Sequence, residues 1–273
     1  MSVAPAGARD TDSAIPDRDA EEGLPSLPRF YRLLRYRRLG STNDEAKALA
    51  ASGAAEGTLV WALEQTSGHG RRGKLWASPP GNLYASVILA PQVTPFIAAQ
   101  LGFAAALAVA EACLDVAPNA AIGLKWPNDV LLRGRKLAGI LIESQMRSDG
   151  MADWLVLGIG VNLSTYPTAT EYPATALSAS GVEVAPDAML AGLARRFLDW
   201  YERWDCGEGF AALRAAWLGR ATGLGSALRA NLPGGALSGV FAGLDKDGAL
   251  LLDTASGRRR IEAGEVFPAA PVS

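Results

Sequence analysis

The order of hydrophobic and polar positions divides the middle of the chain into strands and helices. Arginines alternate with Leu34 and Tyr36 in FYRLLRYRRL, residues 30–39, which predicts a half-exposed strand. Helical spacing, cap residues and long apolar stretches predict helices at 41–53, 95–114, 186–204 and 210–219. Apolar runs bounded by turn residues predict strands at 58–65, 82–89, 122–126, 129–132, 136–146 and 154–163.

Local signals place the ends of these elements and a domain boundary. Thr42 and Glu45 have the spacing of a capping box, and Gly53 is placed to end that helix. After Thr222 three turn signals, at 233–235, 245–248 and 255–257, separate short strands, which predicts a small antiparallel barrel. Because strands run together and helices are irregularly interspersed, we expect an α+β protein.

The first segment differs from the rest in charge. Residues 1–28 contain six acidic residues and two arginines, so their net charge is −4, and they are rich in Pro and Ala. Such a composition predicts a disordered tail. The chain is then expected to consist of this tail, a main domain at 29–222 and a C-terminal domain at 223–273.

The amino-acid composition limits which residue types can carry out a reaction in this protein. The hydrophobic share of 49% and the net charge of −2 are those of a soluble globular protein. We find no apolar run of the length of a membrane span and no secretory signal, so we expect a cytoplasmic location. Two cysteines and one histidine are too few for a structural zinc site, and Cys113 lies in a run expected to be core. Reactive groups must therefore come from Lys, Arg, Asp, Asn and backbone amides.

A basic, glycine-rich loop, GHGRRGK at 68–74, lies between two predicted strands. Its glycines let the backbone turn sharply and present N–H groups, and Arg71, Arg72 and Lys74 add positive charge. These features suit a phosphate or a negatively charged transition state. A hairpin tip with solvated cations is the alternative.

A second group of polar residues follows in LKWPNDVLLRGRKLAG, residues 124–139. Asn128 and Asp129 are adjacent oxygen ligands suited to Mg²⁺, and Lys125 and Lys136 flank the same turn. Together with the basic loop they indicate a triphosphate site. A capped hairpin, with Asp129 as an ordinary turn residue, is the alternative.

Taken together, these motifs resemble the bacterial biotin–protein ligases. The similar segments are GSTNDEA (40–46), EQTSGHGRRGKLWASPPGNLYASVIL (64–89), LKWPNDVLLRGRKLAGILIES (124–144), LGIGVNL (157–163) and RIEAGEV (260–266). The resemblance implies a mixed, largely antiparallel sheet backed by helices, followed by an SH3-like β-barrel. It also implies attachment of biotin to a lysine of a carrier domain, with ATP and Mg²⁺, through biotinyl-5′-AMP.

The resemblance further implies roles for individual residues. The catalytic residues would be Arg71, Lys136 and Lys125. The biotin pocket would comprise Ser41, Thr42, Asn43, Gln65, His69, Gly70, Arg71 and Lys136. The nucleotide would contact Arg71, Arg72, Lys74, Trp76, Asn128 and Asn162, and Mg²⁺ would bind Asn128 and Asp129. Trp61 and Leu141 are expected to pack in the core and not to line the pocket.

For several of these residues a structural role remains the alternative. Thr42 could only cap its helix, Trp76 could be a core residue behind the loop, and Asn162 could serve a turn. His69 departs from the family, which usually has arginine there. Because a histidine ring is largely neutral at neutral pH, we expect weaker retention of biotinyl-AMP.

The resemblance also suggests partners and rivals. The expected partner is the biotin carrier domain of a biotin-dependent carboxylase, and the enzyme would act as a monomer or a homodimer. With about 28 residues before the main domain, we expect no helix-turn-helix module and no role in binding DNA. A lipoate–protein ligase or octanoyltransferase is the main alternative, and a nucleic-acid-binding protein without enzyme activity is the other.

Overall fold

The computed structural model describes residues 24–232 and 234–269. Most of the predicted tail, residues 1–23, lies outside the described residues, as do Pro233 and 270–273. Residues 24–28 adopt no regular secondary structure. The part of the chain that the structure describes contains helices α1 Thr42–Ala51, α2 Pro95–Ala98, α3 Leu101–Val116, α4 Pro186–Trp204 and α5 Phe210–Leu218.

Strands within the described ranges form two sheets. The larger sheet has the order β1-β2-β3-β7-β6-β5-β4, and only the β1–β2 pair is parallel. Its strands are β1 Arg32–Tyr36, β2 Thr58–Ala62, β3 Leu83–Leu89, β4 Ile122–Lys125, β5 Asp129–Leu132, β6 Arg135–Met146 and β7 Ala152–Val161. The prediction of a mixed, largely antiparallel sheet backed by helices is confirmed.

The second sheet forms after the predicted boundary at Gly223. It is antiparallel, with the order β11-β10-β9-β8-β12. The strands are β8 Ala227–Leu232, β9 Gly235–Leu244, β10 Leu250–Thr254, β11 Gly257–Ile261 and β12 Glu265–Pro268. Its SH3-like character stays a prediction, because the strand order alone does not show closure into a barrel.

Helix α3 forms the centre of the core. It packs against the large sheet on one side and against α4 on the other, and Ala104, Leu107, Ala108 and Cys113 are buried. Contrary to the expectation from the sequence, the segment 95–116 has the length and apolarity of a membrane span, but it is mostly buried inside the protein. The predicted single helix at 95–114 is interrupted at Ala99 and Gln100, where Gln100 accepts a hydrogen bond from buried Trp204 Nε1.

Candidate active site

A cavity of about 430 Å³ lies over strands β6 and β7 on one face of the large sheet. The N-terminus of α1, the basic loop, the β4–β5 turn and β12 of the second sheet surround it. The wall includes these residues that the sequence singled out: Ser41, Thr42, Asn43, Gln65, His69, Gly70, Arg71, Lys74, Trp76, Lys125, Asn128, Asp129, Lys136 and Asn162. Of the predicted site residues, Arg72 alone is outside this described wall, and it is exposed.

The N-terminus of α1 forms one end of the cavity. Ser41, and not Thr42, is the N-cap: its side chain accepts from the Asp44 backbone N–H at 3.4 Å. The predicted capping box is therefore wrong by one residue, because Thr42 already has helical geometry. This shift releases the Thr42 hydroxyl, which hydrogen-bonds to Gln65 Oε1 at 3.0 Å instead of capping the helix.

Asn43 lies on the floor of the same end. Its Nδ2 donates to Glu143 Oε2 at 2.9 Å, and its Oδ1 lies 2.6 Å from the hydroxyl of buried Ser86. The side chain fits only because position 158 is glycine: a Cβ there would lie 2.0 Å from Asn43 Oδ1. The first glycine of the LGIG segment, Gly158, thus makes room for a polar group against the sheet.

Glu143, which the sequence reasoning missed, anchors this polar group from β6. Burial alone would raise the pKa of its carboxyl, but hydrogen bonds from Asn43 and Lys47 hold that pKa below its usual value. Glu143 is therefore ionised and accepts hydrogen bonds. Its position opposite α1 depends on the β6–β7 register, so no local pattern in the sequence marks it.

Gln65 connects the floor to the basic loop. Its Oε1 accepts from the backbone N–H of Thr42 at 2.8 Å, and its Nε2 donates to Ser78 Oγ at 2.9 Å. Ser78 in turn donates to the Trp76 carbonyl at 2.8 Å. The neighbouring Gly68 has no room for a side chain, since a Cβ would lie 2.5 Å from Ser78 Oγ. The amide orientation of Gln65 is thus fixed at both ends.

The basic loop folds over the cavity as a short turn. Arg72 has the left-handed φ of 57°, which directs its side chain away from the wall that Arg71 faces. Arg71 Nη1 donates to Asn128 Oδ1 at 3.2 Å and to the Gly264 carbonyl at 3.4 Å. Burial lowers the pKa of the Arg71 guanidinium, and the Arg72 charge lowers it further. An arginine remains charged at neutral pH, so Arg71 brings a half-buried cation to the cavity.

Two lysines converge on Asp129 at the other side of the cavity. Lys125 Nζ lies 2.7 Å from one carboxylate oxygen and Lys136 Nζ lies 2.6 Å from the other. Burial alone would raise the pKa of Asp129, but the two ammonium groups hold it below its usual value. With Arg71 near the same carboxylate, three cations surround one anion, which leaves positive charge for a bound phosphate or carboxylate.

This arrangement does not fit the predicted metal ligands. Both oxygens of Asp129 are already held by ammonium groups, and Asn128 accepts from Arg71 while its Nδ2 donates to the Ile140 carbonyl at 2.7 Å. In the described ranges no group of three or more His, Cys, Asp or Glu side chains is arranged for a metal ion. The geometry therefore makes Asn128 and Asp129 positioning groups for the cations.

Trp76 lies flat on the sheet beside these cations. A Cβ at Gly160 would lie 2.6 Å from the indole Nε1, and a Cβ at Gly139 would lie 3.0 Å from the ring. These two glycines face each other in the β6–β7 register, so together they form a recess for the ring. Lys136 Nζ is 5.4 Å from the ring centroid, within reach of a cation–π contact.

The second sheet closes the far end of the cavity. Lys74 Nζ lies 2.8 Å from Glu265 Oε2 and 3.4 Å from Glu171 Oε2. Lys125 Nζ is 4.7 Å from the Tyr172 ring and 5.9 Å from the Phe267 ring. Tyr172 and Phe267 were missed as wall residues because they come from distant parts of the chain; Glu265 belongs to a segment already similar to the family, 260–266.

The structure also locates four more residues that the sequence singled out. His69 lies between two carboxylates, with Nδ1 3.9 Å from Asp44 and Nε2 3.7 Å from Glu143. Asn162 lines the cavity but uses its Nδ2 to donate to the Thr175 carbonyl at 3.0 Å. Leu141 lines the cavity, contrary to expectation, because its side chain lies on the open face of β6, whereas Trp61 is buried in the core as expected.

Comparison with known proteins first defines a class. Residues 36–162 match the Biotin/lipoate A/B protein ligase family, and residues 223–267 match the Biotin protein ligase C terminal domain. The second match begins at Gly223, the residue predicted to start the C-terminal domain. The class is therefore that of the biotin and lipoate protein ligases.

Individual relatives narrow the class. The biotin–[acetyl-CoA-carboxylase] ligase of Paracoccus denitrificans is 42% identical over 237 residues, covering 84% of this chain and 98% of that protein. The enzyme of the same name from Mycobacterium tuberculosis is 38% identical over 83% of this chain and 85% of its own length. The biotin protein ligase of Aquifex aeolicus, solved with biotin and ATP, superposes with a TM-score of 0.76 at 27% identity, over 88% of this chain and 100% of that one. The chain belongs to the biotin protein ligase family.

Proposed function

We propose that the protein attaches biotin to a lysine of a biotin carrier domain, in two steps that consume ATP. In the first step the biotin carboxylate attacks the α-phosphorus of ATP, the bond to the β-phosphate breaks, and pyrophosphate leaves. In the second step the lysine amine attacks the acyl carbon of biotinyl-5′-AMP, the acyl–phosphate bond breaks, and AMP leaves. The amine loses its proton as the amide forms.

The observation that carries this proposal is the two-ended cavity. One end presents hydroxyl and amide groups of Thr42, Asn43 and Gln65 above a sheet floor with Leu141, which suits a ureido ring in an apolar bicycle. The other end brings Arg71, Lys125 and Lys136 around Asp129. A carboxylate reaching from the first end toward the second would meet the cations that a developing charge on phosphorus requires.

Each cation then has a proposed task. Arg71 neutralises the biotin carboxylate and the α-phosphate from the loop side, and Lys136 reaches the same oxygens from β6. Lys125, held by Asp129, faces the polyphosphate. Trp76 and Asn162 line the part of the wall offered to the adenosine, where an aromatic face can stack on a base. Arg72 and Lys74 contribute to the field around the β- and γ-phosphates.

Magnesium enters this proposal through the nucleotide. Because the residues first considered as its ligands are engaged with Arg71, Lys125 and Lys136, we propose that Mg²⁺ is bound mainly by phosphate oxygens of ATP. When bound it would supply further charge neutralisation on the polyphosphate. The residues of the chain orient the cations and keep water from the reacting carboxylate.

The test is exchange of labelled pyrophosphate into ATP, which reports the first step. We expect exchange in the wild type only when biotin is present. Lys136→Ala should lower that exchange by about 10²-fold or more while the variant stays folded, because one donor to the transition state is removed. Exchange near the wild-type rate in Lys136→Ala would contradict the role of this lysine.

Lipoate is the competing substrate, because the matched family includes lipoate ligases. A linear acyl chain with a dithiolane has no N–H groups for the oxygens of Thr42 and Gln65, so those oxygens favour biotin. Competition between biotin and lipoate in the exchange assay decides between them. We propose a cytoplasmic enzyme whose partner is a carboxylase carrier domain; no step requires DNA, a membrane or a second copy of the chain.

A further inference from the structure

Asn82 holds the chain at the point where it leaves β7. This residue is 1% exposed. Its Oδ1 accepts hydrogen bonds from three successive backbone N–H groups, at 2.9 Å from Leu163, 3.0 Å from Ser164 and 3.1 Å from Thr165. Its Nδ2 donates to the Thr165 carbonyl at 2.9 Å. The orientation of the amide is fixed by these partners, because only its carbonyl oxygen can accept from N–H groups.

The three contacts of the Asn82 oxygen require a sharp turn of the chain. Successive N–H groups of a strand point to opposite sides, whereas those of a tight turn converge on one point. The last paired residue of β7 is Val161, which lies opposite Leu83 of β3. The chain therefore turns out of the sheet directly after Asn162, at the place where Asn82 precedes β3.

The residues before Asn82 bring it close to this turn. Gly81 has a left-handed φ of 99°, and a Cβ there would lie 2.4 Å from Ser164 Oγ. Glycine is thus required for the two stretches of chain to approach each other. The Tyr84 hydroxyl donates to the Pro79 carbonyl at 2.7 Å, which holds the start of the same loop to β3. Asn82 therefore reaches the turn from a loop that is itself bonded to the large sheet.

The residues that follow the turn, 166–173, form a segment along the cavity that we call the wall segment. It contains no helix and no strand, so its own backbone bonds do not set its course. Glu171 and Tyr172 line the cavity. Glu171 Oε2 lies 3.4 Å from Lys74 Nζ, and the Tyr172 ring lies 4.7 Å from Lys125 Nζ. The wall segment therefore lies beside the cations at the end of the cavity proposed for the polyphosphate.

The far end of the wall segment is attached to β6 by its backbone. The Lys136 N–H donates to the Pro173 carbonyl at 2.8 Å, and the Thr175 N–H donates to the Lys136 carbonyl at 2.9 Å. Asn162 Nδ2 donates to the Thr175 carbonyl at 3.0 Å, so the two ends of the excursion are bonded to each other. With the far end fixed in this way, the direction in which the chain leaves Asn162 decides the path of the wall segment.

The near end has a second partner, Ser178, but it engages different atoms. Its N–H donates to the Leu163 carbonyl at 2.9 Å, and its hydroxyl donates to the Ser164 carbonyl at 3.0 Å. These bonds hold carbonyl groups of the turn, whereas Asn82 holds its N–H groups. Loss of the Asn82 side chain would therefore leave the N–H groups without this acceptor, one of them in a buried position.

We propose that Asn82 is a positioning residue for the nucleotide end of the cavity: it sets the turn after β7 and so places the wall segment beside Lys74 and Lys125. This inference rests on the proposed function and deepens it. Asn82 is buried outside the described wall of the cavity, so it acts through Glu171 and Tyr172 and not by touching a substrate. Without the turn, ATP must order the wall segment as it binds, which lowers its apparent affinity.

The first arm of the test is Asn82→Ala in the biotin-dependent pyrophosphate exchange assay. We expect the KM for ATP to rise about tenfold, equivalent to one hydrogen bond, and the KM for biotin to change less than about twofold. Gln100→Ala is the matched control, because it also removes a buried amide and leaves the Trp204 indole N–H without its acceptor, away from the cavity. It should be destabilised in denaturant but keep the wild-type KM for both substrates.

The second arm is hydrogen exchange of the full chain, measured by mass spectrometry, which reports on the turn without any enzyme activity. In Asn82→Ala the N–H groups of residues 163–165 should exchange faster than in the wild type, while those of α3 keep their protection. Addition of ATP should restore part of the protection at 163–165, because the nucleotide favours the ordered wall segment. In Gln100→Ala the exchange at 163–165 should equal that of the wild type.

A second variant covers the case in which Asn82→Ala does not fold. Gly81→Ala places a methyl group against Ser164 and should give the same rise in the KM for ATP and the same faster exchange at 163–165. A wild-type KM for ATP in the folded variant, an equal rise in both KM values, or unchanged hydrogen exchange at 163–165 would overturn the role of Asn82. Absence of biotin-dependent pyrophosphate exchange in the wild type would instead count against the proposed function, and hydrogen exchange with and without ATP would still test Asn82.

Discussion

At the scale of single residues, Asp129 shows how the site holds several cations together. Its carboxylate separates Lys125 from Lys136, and all three groups are largely buried. Removing one member of a buried ion cluster leaves the remaining charges buried without a partner. This destabilises a protein more than replacing the whole cluster with apolar residues does. The same carboxylate therefore contributes to stability and to the orientation of the cations.

Asp129→Asn should for this reason destabilise the protein by about 3–5 kcal/mol. Denaturant unfolding measures the change, and Asp153→Asn, on exposed β7 surface, is the control. Because the pKa of Asp129 in the folded protein lies below its unfolded value of about 4, its contribution is present above that pH and is lost as the pH falls through the lowered pKa. A variant as stable as the wild type at pH 7 would contradict this account.

His69 provides a second prediction at this scale. An arginine at this position would bring a permanent charge and several donors between Asp44 and Glu143, which lie 3.9 and 3.7 Å from the imidazole. We expect His69→Arg to slow dissociation of biotinyl-AMP about three- to tenfold, since the basic loop would be held more firmly over the cavity. His69→Gln, which adds no charge, should release biotinyl-AMP at the wild-type rate. Equal release rates for His69→Arg and the wild type would contradict the predicted effect of an arginine at this position.

At the scale of elements, the sequence predicted where strands and helices lie, since periodicity and turn residues act locally. It failed where a tertiary contact decided the outcome. The helix predicted at 95–114 changes to i→i+3 hydrogen bonding at Ala99 and Gln100, where the backbone stays right-handed helical and the Gln100 side chain accepts a hydrogen bond from Trp204. Glu143 and Ser86 enter the site through sheet register, and Phe267 through packing of the second sheet, so the hydrophobic pattern around them marks no function, although Ser86 and Glu143 lie in segments that resemble the family.

The basic loop is the element most open to test. Besides the Arg71 hydrogen bond to the Gly264 carbonyl, the loop is joined to the second sheet by the ion pair of Lys74 with Glu265, and this lysine holds the pKa of Glu265 below its usual value against the effect of burial. Lys74→Glu replaces this attraction with repulsion and should increase trypsin cleavage after Arg71 and Arg72. The double variant Lys74→Glu/Glu265→Lys should restore resistance. Cleavage at the wild-type rate in the single variant would mean that the pair does not order the loop.

At the scale of the whole molecule, the cavity belongs to both sheets. The large sheet supplies the floor and the lysines, while Arg71 donates to the Gly264 carbonyl and Phe267 and Glu265 complete the wall from β12. Trp126 Nε1 also donates to the Gly248 carbonyl, a buried hydrogen bond between the β4–β5 turn and the C-terminal domain. The C-terminal domain is thus part of the site. The local sequence pattern did not reveal this, because it predicted only a separate small barrel.

Phe267→Ala tests whether this closure matters to the nucleotide end. The ring is half-buried beside Tyr172 and Lys125, with ring centroids 6.4 Å apart for the two aromatics and 5.9 Å from the ammonium. Removing the Phe267 ring should open the wall next to the proposed polyphosphate position and raise the KM for ATP about three- to tenfold. The KM for biotin, which we propose binds at the other end of the cavity, should stay the same. Phe267→Leu, which keeps apolar bulk, should have a KM for ATP between those of the wild type and Phe267→Ala. A change in the biotin KM equal to that for ATP would show that the C-terminal domain acts on the cavity as a whole and not on its phosphate end.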